Sequence, residues 1–182
     1  MPLDFDALSN WDFEEIEQTL TERDTILYAL GLGFGEDPTD RKELAFVYEA
    51  GLRAVPSMAV TMGYPGFWLR DPKTGVNWQK VLHGEQWLDI YKPLPVNGNI
   101  IGRSRIDFIS DKGEGKGAVI YQSRDIINAD SGEKLAPVAM VGSVAKTGPA
   151  RPRRPCPTAR PIMSAISKHC RARRWFTALA VT

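Results

Sequence analysis

Residues 98–145 read GNIIGRSRIDFISDKGEGKGAVIYQSRDIINADSGEKLAPVAMVGSVA, and this stretch decides the fold class. Its first part has an apolar or small residue at every second position, the period-two pattern of a half-buried strand. These positions are Ile100, Gly102, Ser104, Ile106 and Phe108. Two turns rich in glycine and polar residues, at 111–117 and 128–132, separate two further apolar runs, at 118–127 and 134–145. The stretch therefore predicts three long strands in an antiparallel meander.

A helix is predicted on the N-terminal side of this meander. Thr21 can accept from the backbone three residues later, and Asp24 can return a hydrogen bond to complete a capping box. A one-sided apolar stripe follows at 26–30, and the glycine at 31 or 33 can end the helix. The pattern predicts a helix over about 22–31.

The residues between this helix and the meander are more varied. LAFVYE (44–49) is a short apolar run of the strand type, whereas residues 64–75 are rich in glycine, proline and aromatics and predict a loop. Two more strands, 76–82 and 85–94, flank a His83-Gly84 pair. A helix followed by strands predicts an α+β fold.

Composition is that of a soluble globular domain. Of 182 residues, 43% are hydrophobic and 25% are charged. No apolar run is long enough for a membrane span, and the acidic start is unlike a signal peptide, so we expect no membrane partner. The only cysteines, Cys156 and Cys170, lack metal-ligand spacing, so no metal is expected and a reducing compartment is indicated.

Charge divides the chain into unequal parts. All 22 acidic residues lie at or before Glu133, whereas residues 148–182 carry seven arginines, one lysine and five prolines. Proline removes a backbone donor and fixes φ, so no regular element is expected in the first half of that tail. We therefore predict an arm over 1–20, one domain over 21–147, and a disordered basic tail over 148–182.

Several motifs, in order, resemble one family. They are TERDTILYALGLG (21–33), FVYE (46–49), KVLHGEQWLDIYKPLP (80–95), DKGEGKGAVI (111–120) and MVGSVA (140–145). Over residues 20–145 the chain resembles the N-terminal half of 2-enoyl-CoA hydratase 2, a family that includes the hydratase part of peroxisomal multifunctional enzyme type 2. The resemblance implies a MaoC-like hot-dog fold, in which a curved antiparallel sheet packs on a helix. In the family two such units normally stand side by side in one chain.

The same resemblance implies a reaction and some of its residues. The family adds water across a trans-2-enoyl-CoA to give the (3R)-3-hydroxyacyl-CoA, in fatty acid β-oxidation. Its catalytic Asp and His belong to a Ser-Gly-Asp-x-Asn-Pro-x-His signature in the second unit, and this chain has no such string. We therefore assign no catalytic residue, and we expect the chain to be inactive alone.

Three residues match family positions that contact the ligand. His83 and Gly84 correspond to positions at the acyl-CoA, where a glycine lets the backbone approach a thioester closely. Lys112 corresponds to a position near the CoA moiety, where it can act as a point charge for phosphate. The residues alone leave the plainer alternatives open: a turn glycine beside a surface histidine, and a solvated turn lysine.

The sequence of the tail suggests a hypothesis about its reading frame. Residues 161–182 can be back-translated so that reading one base later gives ADHVCDLKTLPRAALVYRLSGD, which resembles the family's second unit. We hypothesise that the native frame is lost near Lys146–Gly148. Sequencing the gene downstream checks this, since continuous second-unit coding in the other frame is required.

Together these observations predict an acyl-CoA-binding half of an enoyl-CoA hydratase 2. Alternatives are a non-catalytic acyl-CoA-binding hot-dog module, or a protein that binds nucleic acid or membrane through its basic tail. No cofactor is expected besides the CoA thioester substrate. An apolar sheet surface predicts a homo-oligomer or pairing with a second hot-dog unit. The expected location is cytoplasmic, or peroxisomal in a eukaryote.

Overall fold

The computed structural model describes residues 5–113 and 117–144. Its helices are α1 (Phe5–Ser9), α2 (Glu22–Gly31) and α3 (Arg41–Val47). Its strands are β1 (Ile16–Leu20), β2 (Val81–Leu88), β3 (Gly98–Asp111), β4 (Ala118–Asn128) and β5 (Lys134–Val144). Short 3-10 helices cover Pro56–Val60, Trp68–Arg70, Pro72–Thr74 and Trp78–Lys80.

The five strands form one curved antiparallel sheet in the order β1-β3-β4-β5-β2. The predicted meander of β3, β4 and β5 is confirmed, and so is the α+β hot-dog class. β2 pairs only with β5 in the described part of the chain, so it stands at one edge of the sheet. β1 closes the opposite edge on β3.

One face of the sheet, which we call the inner face, carries the core. Ile100, Ile126 and Val138 of this face are buried in one cluster with Met58 and Met62, which belong to the 3-10 helix Pro56–Val60 and the turn after it. A second cluster joins Leu8 of α1 to Ala118 and Ile120 of β4. The element in contact with the sheet is thus mainly a short 3-10 turn, and α2 lies beside it.

The backbone of that turn lies very close to β3. A Cβ atom built on Gly102 would lie 2.2 Å from the carbonyl oxygen of Gly63, and one built on Gly63 would lie 2.6 Å from Cα of Gly102. A residue with a Cβ atom cannot approach a neighbouring backbone this closely, so both positions require glycine. Gly63 also donates its N–H to Gln18 Oε1 of β1 at 2.7 Å, so the turn is tied to the sheet edge.

The predicted helix over 22–31 is confirmed with its capping box. Asp24 N–H donates to Thr21 Oγ1 at 3.3 Å, and Thr21 N–H donates to Asp24 Oδ2 at 2.9 Å. The Thr21 hydroxyl also donates to this carboxylate at 2.7 Å and holds the pKa of Asp24 below its usual value.

Thr21→Ala is expected to destabilise the fold by about 1 kcal/mol, the usual value of such a cap. A carboxylate with a lowered folded pKa stabilises above its unfolded pKa and loses that contribution as the pH falls. The difference from wild type should therefore be full at pH 7 and shrink below about pH 4. Urea unfolding at pH 7 and pH 3 measures it; identical curves at pH 7 would contradict the capping role.

Two predictions about local structure are wrong. The run 44–49 was predicted as a strand, but residues up to Val47 belong to α3. Asp40 caps this helix by accepting from the N–H of Lys42 at 2.8 Å, and Phe46 packs on Phe34 at 4.9 Å between ring centroids. Capping and a nearby aromatic partner outweigh the strand propensity of a six-residue run.

The prediction of two separate strands on either side of His83-Gly84 is also wrong, although residues 81–82 and 85–88 do lie in a strand. Residues 78–80 form a 3-10 helix, and His83 and Gly84 lie inside the single strand β2, which ends at Leu88. The register shifts between His83 and Glu85, which marks a bulge at Gly84. A similar shift between Ile106 and Phe108 moves Phe108 to the outer face, although simple alternation placed it with Ile106.

Only the N-terminal limit of the predicted domain lies within the described residues. β1 lies within the segment predicted as an arm, yet it forms the edge of the sheet with β3. The end of the predicted last strand at residue 145, the tail over 148–182 and the hypothesis about its reading frame lie outside the described residues.

Candidate functional site

Two adjoining pockets open on the inner face around His83. The first has a volume of about 190 Å³ and is mainly apolar. It is lined by Tyr64, Phe67, Trp68, Leu69, Val81, Leu82, His83, Ile120, Gln122, Met140 and Gly142. The second has a similar volume and shares Tyr64, His83, Gln122 and Met140, to which it adds Val60, Gln86, Arg124 and Val138. We call them the apolar pocket and the polar pocket.

His83 lies where the two pockets meet. It stands opposite Gly142 of β5, and Gly142 stands opposite Ile120 of β4, so these residues form one row across the sheet. A Cβ atom at Gly142 would meet only the carbonyl oxygen of Leu82, at 3.8 Å. The His83 side chain is exposed, and no described carboxylate forms an ion pair with it.

Gly84 has a structural reason to be glycine. It occupies the bulge of β2, and a Cβ atom there would lie 3.3 Å from the carbonyl oxygen of Val141 on β5. The bulge moves Glu85 to the outer face and Gln86 to the inner face. Gln86 makes a structural hydrogen bond there, since its Nε2 donates to Ala139 O at 2.8 Å.

Lys112 lies apart from both pockets. It follows the end of β3, is exposed, and its N–H donates to the carbonyl of Gly117 at 3.0 Å to close the turn. It lies beyond Asp111, which pairs with Ala118 at the end of the sheet where β2 begins. His83 and Lys112 are therefore near the same end of the sheet, three strand spacings or about 14 Å apart across it.

Two polar residues of β4 are brought to the site although the sequence did not single them out. Gln122 is 4% exposed, and its Oε1 accepts from Trp68 Nε1 at 2.8 Å. This bond uses the amide oxygen of Gln122, a residue that lines both pockets together with His83. The 3-10 helix Trp68–Arg70 is held on the sheet by the same bond.

Arg124 is the second such residue. It is 4% exposed; its Nη2 donates to Val60 O at 2.6 Å, and its guanidinium lies 5.4 Å from the ring centroid of Tyr64. Its Nε has no hydrogen-bond partner among residues 5–113 and 117–144. Burial lowers the pKa of Arg124 to about 10, although the nearby Tyr64 opposes this effect. At neutral pH the group is still charged.

Alternation could have found both residues. Gln122 and Arg124 share the parity of Ala118, Ile120 and Ile126, so a strand that buries those apolar residues must bury the two polar ones as well. Buried polar side chains are rarer and more informative than exposed ones. Tyr64 and Trp68 gave no such signal, because they come from a loop whose path the sequence does not define.

The described residues contain no cluster of three or more His, Cys, Asp or Glu side chains arranged to hold a metal ion. Within the same ranges no helix has the length and apolar character to span a bilayer. The polar groups that line the two pockets include one imidazole, two amides, a phenol and a guanidinium, on a largely apolar wall.

Comparison with known proteins identifies the fold and the family. The model of the MFE-2 hydratase 2 N-terminal domain matches residues 18–142. Enoyl-CoA hydratase 2, peroxisomal, of Arabidopsis thaliana is 33% identical over 144 residues, which are 71% of this chain and 44% of that protein. Peroxisomal multifunctional enzyme type 2 of Mus musculus is 36% identical over 117 residues, 59% of this chain and 16% of that protein.

Solved structures agree on the architecture. The MaoC-like dehydratase from Phytophthora capsici has a TM-score of 0.59 at 24% identity, over 85% of this chain and 56% of that one. Full-length peroxisomal multifunctional enzyme type 2 from Drosophila melanogaster has a TM-score of 0.56 at 28% identity, over 79% and 26%. The chain spans less than half the length of the curated relatives named above. By the match over 18–142, this chain belongs to the MFE-2 hydratase 2 N-terminal domain family.

Proposed function

We propose that this chain is the acyl-CoA-binding half of an enoyl-CoA hydratase 2. The observation that supports this most is the pair of pockets at His83, on the inner face of a sheet whose sequence matches the family over 18–142. The thioester lies at His83 and Gly84, the acyl chain runs from the apolar pocket into the adjoining polar pocket, and the CoA moiety extends toward Lys112. The names of the plant and mouse relatives support a peroxisomal location if the chain is eukaryotic.

The residues of this half hold the ligand but do not complete the reaction. Hydration places a hydroxyl on the β-carbon and a proton on the α-carbon, and it needs a positioned base and acid. His83 has no described carboxylate partner to orient it as a base. We therefore infer that an Asp and a His of a second hot-dog unit supply the proton transfers.

The outer surface of the sheet offers a place for that unit. β2 is an edge strand whose residues 82–87 are all exposed, so its outward backbone groups are free to pair. Leu82 and Trp87 beside this edge are 68% and 37% exposed, and Phe108 on the same outer face is 36% exposed. Apolar surface of this kind at a sheet edge favours association with another unit.

The binding half of this proposal is tested by calorimetric titration with octanoyl-CoA. His83→Ala is expected to weaken binding about tenfold, because it removes the polar group next to the thioester, equivalent to about 1.4 kcal/mol. Lys112→Ala should give a smaller loss that disappears in high salt, since an exposed charge is screened. Lys42→Ala is the matched control, because this exposed lysine of α3 lines neither pocket.

The catalytic half is tested with crotonyl-CoA, whose enone absorbance falls on hydration. The chain alone is expected to leave this absorbance unchanged at concentrations that saturate octanoyl-CoA binding. Turnover by the chain alone would show that it contains an acid/base pair after all. Failure of every acyl-CoA to bind the folded chain would refute the proposed function itself.

A further inference from the structure

The polar pocket contains a buried positive charge without a counter-charge. Arg124 is 4% exposed, and none of the acidic residues in 5–113 and 117–144 forms an ion pair with it. These ranges contain every acidic residue of the chain except Asp4 and Glu114. The basic tail after residue 147 has no acidic side chain to offer.

The contacts that Arg124 does make use only part of its hydrogen-bonding capacity. Nη2 donates to Val60 O, and the ring of Tyr64 covers the guanidinium, but Nε donates to nothing. Ser104 stands directly opposite on β3, and its buried Oγ also lacks a partner. Two buried polar atoms without a described partner thus occupy opposed positions of neighbouring strands, and one of them belongs to Arg124 in the polar pocket.

Such an arrangement is unfavourable unless something binds there. Burial of an unpaired charge costs far more than burial of an apolar side chain of similar size. A methionine would fill the same volume on an inner face made of Ile126, Val138 and Met140 without that cost. A charge retained at such a position indicates a ligand that carries the opposite charge.

The register of the sheet shows which part of an acyl-CoA would reach this charge. Arg124 lies four residues along β4 from Ile120, which shares a row with His83, a distance of about 13 Å. Lys112 lies in the opposite direction, beyond the row of Asp111 and Ala118. A thioester at His83 with its CoA toward Lys112 therefore sends its acyl chain toward Arg124.

We propose that the polar pocket binds a carboxylate at the far end of the acyl chain, so that the preferred ligands are CoA thioesters of dicarboxylic acids. The inference rests on the proposed acyl-CoA-binding function. The planar guanidinium suits a carboxylate, and Arg124 lines this pocket with N–H donors beyond the one that Val60 O accepts. Gln86 and Gln122 line the same pocket and can add amide donors. The phosphates of CoA lie on the Lys112 side and are out of reach.

Two thioesters of equal length test this: octanoyl-CoA and the mono-CoA thioester of octanedioic acid, titrated by calorimetry. Wild type is expected to bind the second at least tenfold more tightly. Arg124→Met should abolish this preference and keep the affinity for octanoyl-CoA. Arg103→Met is the matched control, because Arg103 is an exposed arginine of β3 paired with Glu15, and it should leave the preference unchanged. Arg124→Lys keeps the charge but loses the planar guanidinium, so it should retain part of the preference.

Equal affinity of wild type for the two thioesters, or an intact preference in folded Arg124→Met, overturns the inference while the proposed function stands. If neither thioester binds, the proposed function fails, and titration with octanoate alone then decides about the pocket. Its readout is the NMR signal of the Arg124 Nε–H, identified by its absence in Arg124→Met. A saturable shift supports a carboxylate pocket, and an unmoved signal overturns it.

Discussion

Gly102→Ala is expected to destabilise the fold strongly. The new Cβ atom would lie 2.2 Å from the carbonyl oxygen of Gly63 and 2.7 Å from its Cα, both of which are backbone atoms. Neither can rotate away as a side chain can, so the turn and β3 must separate. That separation would open the core around Met62 and Ile100, both fully buried. We expect a loss of about 3 kcal/mol or more, a large share of the stability of a domain.

Urea unfolding followed by circular dichroism measures this loss. Gly31→Ala is the matched control, because a Cβ atom there meets nothing within 4 Å and the residue ends helix α2. Alanine at this position should be neutral or stabilise by up to about 1 kcal/mol. An unfolding midpoint of Gly102→Ala equal to that of wild type would show that the turn does not pack on β3 as described.

The second large effect is expected at the N-terminus, where Leu8→Ala should cost about 2–5 kcal/mol. Leu8 is 0% exposed and belongs to the cluster with Leu69, Ala118 and Ile120. Truncation leaves a cavity next to Leu69 and Ile120, which also line the apolar pocket. We therefore expect weaker octanoyl-CoA binding as well.

Leu27→Ala provides the comparison, since Leu27 is 53% exposed on helix α2 and should change stability by less than about 0.5 kcal/mol. Both variants are measured by urea unfolding under the same conditions. If Leu8→Ala is no more destabilising than Leu27→Ala, then α1 is a dispensable arm, as the sequence pattern alone suggested.

The site was predicted in part. His83 was recognised through the family motif, and the structure brings it to both pockets. Gly84 lies next to it, but its lack of a side chain also serves the bulge against Val141. Lys112 is outside the pockets, so its role in binding CoA stays a prediction. Arg124 was missed because the motif does not include it and its burial depends on which face of β4 is covered.

Local signals were sufficient where one element carries its own information. The capping box of Thr21 and Asp24 sets the start of α2, and the turns at 111–117 and 128–132 delimit β4. They were insufficient for residues 44–47, where a cap at Asp40 and a ring at Phe34 select a helix over a strand. The bulges at Gly84 and near Asp107 could not be predicted from neighbouring residues either, because they depend on the partner strand.

Period-two alternation, glycine-rich turns and the family motifs are sufficient to predict an antiparallel meander and its fold class. These features are encoded within ten or so neighbouring residues, so they survive without knowledge of the rest of the chain. Only the folded chain decided that Tyr64 and Val60 cover Arg124, that Gly63 touches Gly102, and that β1 closes the sheet. Those contacts join residues about 40 to 85 positions apart, and their strength comes from packing and burial, which no local pattern contains.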